Sequence, residues 1–236
     1  MIKYSIVLPC YNEEENLPEI IQQFSEIINP ENTEIILVDN GSTDGTEELL
    51  ESKLVSLSFI TKTKIKKNKG YGNGIMQGLK IAQGEFVGWT HADLQTDPAD
   101  IVKAINIIEE EKTNNIFVKG ERNGRSAFDR FFSRGMEFFV KVILKHKLYE
   151  INAQPNLFSR SLLDNIKNPP DHWGLDLYFY YHAEKLSYNF KRIPVSFPER
   201  KHGESKWNSG FLARVKFSIK MLNYCFEIRR DEKDKS

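Results

Sequence analysis

The triplet His91-x-Asp93-x-Gln95 follows an apolar run and sets an imidazole, a carboxylate and an amide at alternate positions. On an extended chain, alternate side chains share one face. The spacing therefore predicts that the three point together and can hold Mg²⁺ or Mn²⁺, with a diphosphate completing the shell. The plainer reading of His91 is a strand-end imidazole packed against a sheet. A second cluster, Asp39-Asn40-Gly41-Ser42-Thr43-Asp44, follows another apolar run. Asp39 can accept hydrogen bonds from a nucleobase or ribose. The amides of the tight Gly41-Ser42 turn and the helix start beyond it favour an anionic group. Capping and turn chemistry are the competing explanation, and they account for Asp44 and part of Ser42.

The elements that must carry these clusters alternate. Tyr4–Leu8 reads as a buried strand. Asn12 and Glu15 read as a capping box, followed by Leu17, Ile20, Ile21, Phe24, Ile27 and Ile28 at helical spacing. Glu34–Val38 is a second strand, and Asp44 with Glu47 starts a second helix. Leu57–Ile65, rich in threonine and lysine, is a strand nearer an edge. Gly70–Ala82 is a glycine-rich helix, Glu85–Thr90 a strand, and Asp97-Pro98 a helix start running to about Glu111. A strand over Ile116–Lys119 follows. This βα alternation predicts a parallel sheet with helices on both faces and a ligand site beyond the strands' carboxyl ends. Further on, the pattern predicts a helix over Phe128–Leu148, a strand over Asn156–Ser159, a helix over Leu175–Lys185 and a strand over Asn189–Ser196. A helix over Phe211–Ile228 and a frayed charged tail from Arg229 close the series.

Composition narrows the class. The 236 residues are 40% hydrophobic and 28% charged, with 33 basic and 33 acidic side chains. That suits a core-forming soluble chain, not a disordered or disulfide-stapled one. No uncharged run approaches the roughly 20 residues of a membrane span. The start Met-Ile-Lys-Tyr-Ser runs into a strand without the apolar region of a signal peptide. Cys10 and Cys225 form no spacing motif and read as reduced, buried thiols, so the expected compartment is the cytoplasm. Residues 1–118 hold 19 acidic and 10 basic side chains, and residues 119–236 hold 14 and 23. A basic half suits an anionic partner, or is simply a solvated face.

Several segments together resemble the family-2 glycosyltransferases, in the branch of the dolichyl-phosphate mannose synthases. Val7-Leu8-Pro9-Cys10-Tyr11-Asn12-Glu13 is similar to their opening signature, and Val38 to Thr46 to their second. Asn68-Lys69-Gly70-Tyr71-Gly72 with Gly78 and Ala82-Gln83-Gly84-Glu85 is similar to the third. His91-Ala92-Asp93-Leu94-Gln95 aligns with their metal motif, usually Asp-Ala-Asp-Leu-Gln. Gly120-Glu121-Arg122, Ser133-Arg134 and Arg200-Lys201-His202-Gly203-Glu204-Ser205-Lys206 resemble the branch as well.

The resemblance implies a GT-A fold, which is Rossmann-like, with a mostly parallel central sheet and helices on both faces. It implies a transferase domain over residues 1–206, with a nucleotide and metal half (1–118) and an acceptor half (119–206), then a basic amphipathic helix and tail (207–236). The implied reaction is inverting transfer of a sugar from a nucleotide-diphosphate donor. Pro9, Tyr11, Glu13 and Asp39, with Gly41, Ser42 and Gly70 in the matching loops, would line the donor pocket. Asp93 and Gln95 would face the metal and diphosphate. Two positions depart from the pattern: Asn40 replaces a usual aspartate, and His91 replaces the first metal-motif aspartate. Imidazole ligates Mn²⁺ better than Mg²⁺.

Asp176 lies where many relatives carry a general base, which a sugar-hydroxyl acceptor needs. A polyprenyl-phosphate acceptor is already anionic and needs none. Arg122, Arg134, Arg200 and Lys206 can then hold it through charge-assisted bonds. Phe128, Phe131, Phe132, Phe138, Phe139, Ile143 and Leu144, with interleaved lysines and arginines, suit an interfacial helix, as do Phe211, Leu212, Val215, Ile219 and Leu222. Core packing is the competing reading of both stripes. The leading expectation is therefore a cytoplasmic polyprenyl-phosphate sugar transferase at the inner membrane face. Its alternatives are a transferase extending a glycan on a hydroxyl and a non-catalytic nucleotide-sugar-binding protein. The glycine-rich opening loop of sugar nucleotidyltransferases is missing from residues 8–13, and no nucleic-acid-binding module surrounds the basic residues.

Overall fold

The computed structural model describes residues 1–52, 57–124, 127–196, 198 and 211–233, with side chains omitted over 127–132 and 211–214 and at 233. The first elements are β1 (Tyr4–Cys10), α1 (Leu17–Ile27), β2 (Thr33–Asp39), α2 (Thr46–Glu51), β3 (Ile60–Lys64), α3 (Tyr71–Ile81), β4 (Phe86–Trp89) and α4 (Ala99–Glu111). They are followed by β5 (Ile116–Arg122), α5 (Ala127–Leu144), β6 (Asn156–Ser159), α6 (Arg160–Asn165), α7 (Leu175–Lys185), β7 (Asn189–Val195) and α8 (Phe211–Lys233).

The strands form one sheet in the order β3-β2-β1-β4-β6-β5-β7. β1, β2, β3 and β4 run parallel, and β5 pairs parallel with β7. The short β6 is antiparallel and separates β4 from β5, pairing Trp89 and Lys119 with Asn156. The simple alternation thus gives way to an insertion. Its consequence is functional: the beginning of β6, not its end, lies at the carboxyl edge of the sheet.

Alternation along the strands builds two cores. Ile6, Leu8, Ile35 and Leu37 face α1 and α4, while Val7, Ile36 and Val38 face α3, α5, α7 and α8. Both faces are covered, so the central strands read as continuous apolar runs. β3 is an edge strand, as its lysines predict, and β7 is the other.

Three local expectations need correction. Asn12 does not cap α1. It sits in the left-handed region at φ 58°, and Asn16 occupies the N-cap position. The helix therefore starts one turn later, because Asn12 is taken up by a neighbouring loop. The C-terminal segment is not frayed through its described part: α8 continues to Lys233. There Glu232 accepts from the Tyr181 hydroxyl at 2.5 Å and pairs with Lys185. Finally, Ile143 and Leu144 pack into the core with Met221, Cys225 and Ile228 and do not face outward.

Candidate active site

Three loops at the carboxyl edge are laced into one cradle. Asn12 Oδ1 accepts from the Thr43 amide at 2.9 Å, and the Asn12 amide donates to Ser42 Oγ at 3.1 Å. The Glu13 amide donates to Thr46 Oγ1, and Glu14 accepts from the Gly45 amide at 2.6 Å. Asp44 is not the cap expected of it: Gly45 holds the N-cap position of α2, and Asp44 Oδ1, one residue earlier, accepts from the Thr46 amide at 3.1 Å. Gly41 has φ 74°, and a Cβ there would stand 2.6 Å from the Asn68 amide nitrogen. Only glycine lets the second loop close on the third. Gly70 has φ 120° and faces the Asp171 carbonyl, which accepts from the Asn73 amide at 2.8 Å. The start of α3 is thereby held between these loops and the segment before α7.

Asp39 ends β2 inside this cradle, only 2% exposed. Its Oδ1 accepts from the Ser42 amide at 2.9 Å, the turn role foreseen as a rival reading. Its Oδ2 is buried with no hydrogen-bond partner. A buried carboxylate oxygen without a donor is costly, which suits an oxygen awaiting an N–H or O–H from a ligand. Pro9 lies at the end of β1 beside Gly74 of α3, and Tyr11 and Glu13 follow it in the same cradle. Glu13 accepts from Asn16 Nδ2 at 2.6 Å, so its carboxylate is already engaged within the loop. Burial, reinforced by the Glu13 and Asp39 carboxylates, pushes the Cys10 thiol far above its usual range, leaving it an inert packing residue.

The His91 segment does not continue the extended chain. β4 stops at Trp89, residues 92–96 bend, and Leu94 is left-handed at φ 58°. The bend has a local cause: Asp93 Oδ1 accepts from the Gln95 amide at 3.1 Å. Strand alternation therefore cannot align His91, Asp93 and Gln95 on one face. Gln95 Nε2 donates to the Pro198 carbonyl at 3.0 Å, and His91 lies beside the Tyr71 ring, with centroids 6.4 Å apart. Among the described residues no three His, Cys, Asp or Glu side chains gather as a metal cluster. Asp93, buried at this edge, is the hard anionic oxygen donor of the segment.

Behind His91 lies a buried polar network of which the sequence reading names only Asp176. Asp176, 4% exposed, receives three N–H donors on Oδ1: Trp89 Nε1 at 3.1 Å, Gln154 Nε2 at 2.8 Å and Asn156 Nδ2 at 2.9 Å. Gln154 Nε2 also donates to the Tyr71 hydroxyl oxygen at 3.0 Å, and Tyr71 hydrogen-bonds Asp176. Burial, with Asp176 close by, holds the Tyr71 phenol protonated. Lys119 is completely buried and donates to the Ala153 carbonyl at 2.8 Å and to Asn156 Oδ1 at 2.6 Å. A signal was present: a lysine inside the apolar run Ile-Phe-Val-Lys-Gly and two amides flanking Pro155.

The predicted cations do not gather into one described cluster. Arg122 Nε pairs with Glu150 at 2.7 Å, both side chains largely covered. Arg134 lies exposed on α5. Arg200 and Lys206 lie outside the described residues, as do the side chains of Phe128, Phe131 and Phe132. Phe138, Phe139 and Val142 of α5, and Ile219 and Phe226 of α8, are exposed. No helix among the described residues is long and apolar enough to cross a membrane.

A mostly parallel sheet with a loop cradle at its carboxyl edge is the architecture of GT-A transferases, and solved structures agree. Glucosyl-3-phosphoglycerate synthase from Mycobacterium tuberculosis, solved with Mn²⁺, UDP and glucosyl-3-phosphoglycerate, superposes with a TM-score of 0.69 at 17% identity, covering 97% of this chain and 80% of that one. The mannosyltransferase PcManGT from Pyrobaculum calidifontis, in complex with GDP-Man and Mn²⁺, gives 0.63 at 20% identity, covering 85% and 58%. The chain belongs to glycosyl transferase family 2, whose model matches residues 5–186. It is 28% identical over 221 residues to undecaprenyl-phosphate 4-deoxy-4-formamido-L-arabinose transferase of Pseudomonas fluorescens, covering 91% of this chain and 63% of the relative. It is 30% identical over 176 residues to the bactoprenol glucosyl transferase of Shigella phage SfV, covering 72% and 56%. The chain thus spans about three fifths of the length of these curated relatives.

Proposed function

We propose that this chain transfers a sugar, with inversion, from a nucleotide-diphosphate donor to a polyprenyl phosphate. The observation that carries the acceptor is the state of Asp176. Three N–H groups converge on its Oδ1 and it lies in the interior. A general base must offer a free lone pair to the proton it removes; Oδ1 is taken up by these donors, and burial of the group limits the reach of Oδ2 to an acceptor hydroxyl. An acceptor that is already ionised needs no such base. A phosphate oxygen attacks the anomeric carbon, the bond to the donor diphosphate breaks, and no proton changes hands. The two curated relatives act, by their names, on undecaprenyl phosphate and bactoprenol, which supports the same class.

On this reading the cradle binds the nucleotide. Asp39 Oδ2 takes an N–H or O–H of the nucleoside, Pro9, Tyr11 and Glu13 line its approach, and the Gly41, Ser42 and Gly70 backbone borders the diphosphate. Two of the solved neighbours hold Mn²⁺. Asp93 is the residue that would hold a divalent cation, Mn²⁺ or Mg²⁺, with His91 and Gln95 at its flanks. Such an ion would neutralise charge on the departing diphosphate. Arg134, Arg200 and Lys206 are the cations for the acceptor phosphate, while Arg122 is committed first to Glu150. The exposed Phe138, Phe139 and Val142, beside Lys141 and Lys145, and the exposed Ile219 and Phe226, near Lys216 and Lys220, are the surfaces for the inner membrane face.

The test is a panel of nucleotide-diphospho-sugars offered with polyprenyl phosphate in liposomes or with free glycans. Product on the lipid phosphate is expected. Transfer confined to sugar hydroxyls would overturn the acceptor assignment and leave the donor site standing.

A further inference from the structure

The two amides of the buried network are oriented from both ends, by the Lys119 amine, which donates, and by the Asp176 carboxylate, which only accepts. Lys119 Nζ keeps N–H donors in both its charged and its neutral form, and at 2.6 Å it meets Asn156 through the side-chain oxygen. That turns Asn156 Nδ2 toward Gln154 Oε1, at 2.8 Å, and toward Asp176. Gln154 is then obliged to present Nε2 to Asp176 and to the Tyr71 oxygen, at 3.0 Å. Because that oxygen accepts from Gln154, the phenolic hydrogen points away from Gln154, and Asp176 takes it. Reversing either amide would set donor against donor or acceptor against acceptor inside a dry interior. Tyr71 is the first residue of α3, and its ring is the neighbour of His91.

We propose that Lys119 is a positioning residue: acting through Asn156 and Gln154, it fixes Tyr71, and Tyr71 sets His91 at the donor end of the site. The catalytic consequence rests on the reading of the carboxyl edge as the transfer site. The relay itself does not, so it can be examined separately. Its members come from β5, β6 and the turn before it, α7 and α3, which meet because β6 is inserted antiparallel between β4 and β5.

The experiment combines side-chain NMR of the histidines with a double-mutant cycle on turnover. The chain has five histidines, and a His91→Gln variant assigns the His91 signal. Lys119→Met removes the donor, Tyr71→Phe removes the hydroxyl and keeps the ring, and Lys119→Gln restores one donor. Lys119→Met and Tyr71→Phe should move the His91 signal alike and lower turnover about tenfold, the scale of one lost hydrogen bond. Nucleoside-diphosphate affinity should stay within about twofold, since Asp39 is untouched. The double variant should be no worse than the poorer single one, as expected of two breaks in one chain. Lys119→Gln should return both readouts toward wild type. Should Lys119→Met fail to fold, Gln154→Met breaks the relay one step later and serves in the same cycle. Additive losses, or a His91 signal unmoved by either variant, would overturn the relay. A moved signal in a protein without transferase activity would instead sustain the relay and reject the functional reading.

Discussion

Asn40 Nδ2 donates to the Gly70 carbonyl at 3.0 Å, joining the end of β2 to the start of α3. This bond accounts for the asparagine where the family usually carries aspartate. A carboxylate there would face the carbonyl with no proton to give. Asn40→Asp should therefore destabilise the fold by roughly 1–3 kcal/mol, the cost of opposing two buried acceptors. Urea unfolding at neutral pH measures it, and an unchanged midpoint would remove Asn40 from the brace.

Asp39→Ala should weaken nucleoside-diphosphate binding by roughly 1.5–3 kcal/mol, because a ligand donor loses its charged acceptor. Calorimetry reads this directly. Equal affinity in both proteins would leave Asp39 with only its hydrogen bond to the Ser42 amide.

Asp93→Ala should abolish transfer, as it removes the anionic oxygen ligand of the 91–95 bend. His91→Asp should retain activity and shift the preference from Mn²⁺ toward Mg²⁺, since carboxylate is the harder ligand. Turnover of Asp93→Ala at the wild-type rate in excess chelator would end the metal assignment.

Asp176→Asn keeps an oxygen where Trp89, Gln154 and Asn156 converge. With a polyprenyl-phosphate acceptor its turnover should fall by less than about tenfold. Loss of a general base costs roughly 10²–10⁴-fold, so a fall of that size would revive the hydroxyl-acceptor reading.

Lys119 makes stability depend on pH with a definite sign. Burial pulls its ammonium from 10.5 down to about 7, against the Asp176 and Glu150 carboxylates and with the help of the Arg192 and Arg122 charges. The Tyr180 ring lies 5.8 Å from Nζ and does not ionise in this range. Above about pH 7 the folded protein gives up this proton while the unfolded chain keeps it to about 10.5. The unfolded state then binds more protons, and stability rises with pH. Wild type should gain on Lys119→Met between pH 7 and 9 in paired urea titrations. A difference that stays flat with pH would contradict the buried charge.

Much of the fold is legible in the residues because its causes are local. Asn156–Ser159 and Leu175–Lys185 form their elements at the limits the pattern predicts. Gly41 announces a tight turn, and Cys10 and Cys225 are free and buried. Each follows from side-chain period or backbone freedom within a few residues. What only the tertiary structure decides is where distant groups meet. Asn12 has the sequence of a helix cap, yet its oxygen goes to Thr43 across a neighbouring loop. His91, Asp93 and Gln95 have the spacing of one strand face, yet the Asp93–Gln95 turn ends the strand first. Arg229 to Lys233 read as tail, yet Tyr181 and Lys185 hold Glu232 and extend the helix. Lys119, Asn156 and Asp176 look unrelated along the chain, and they touch because β6 enters the sheet against its neighbours. Strand order and direction are fixed by burial summed over the whole sheet. No window of sequence contains that sum, so a buried lysine can be noticed in the residues but its partners are found only in the fold.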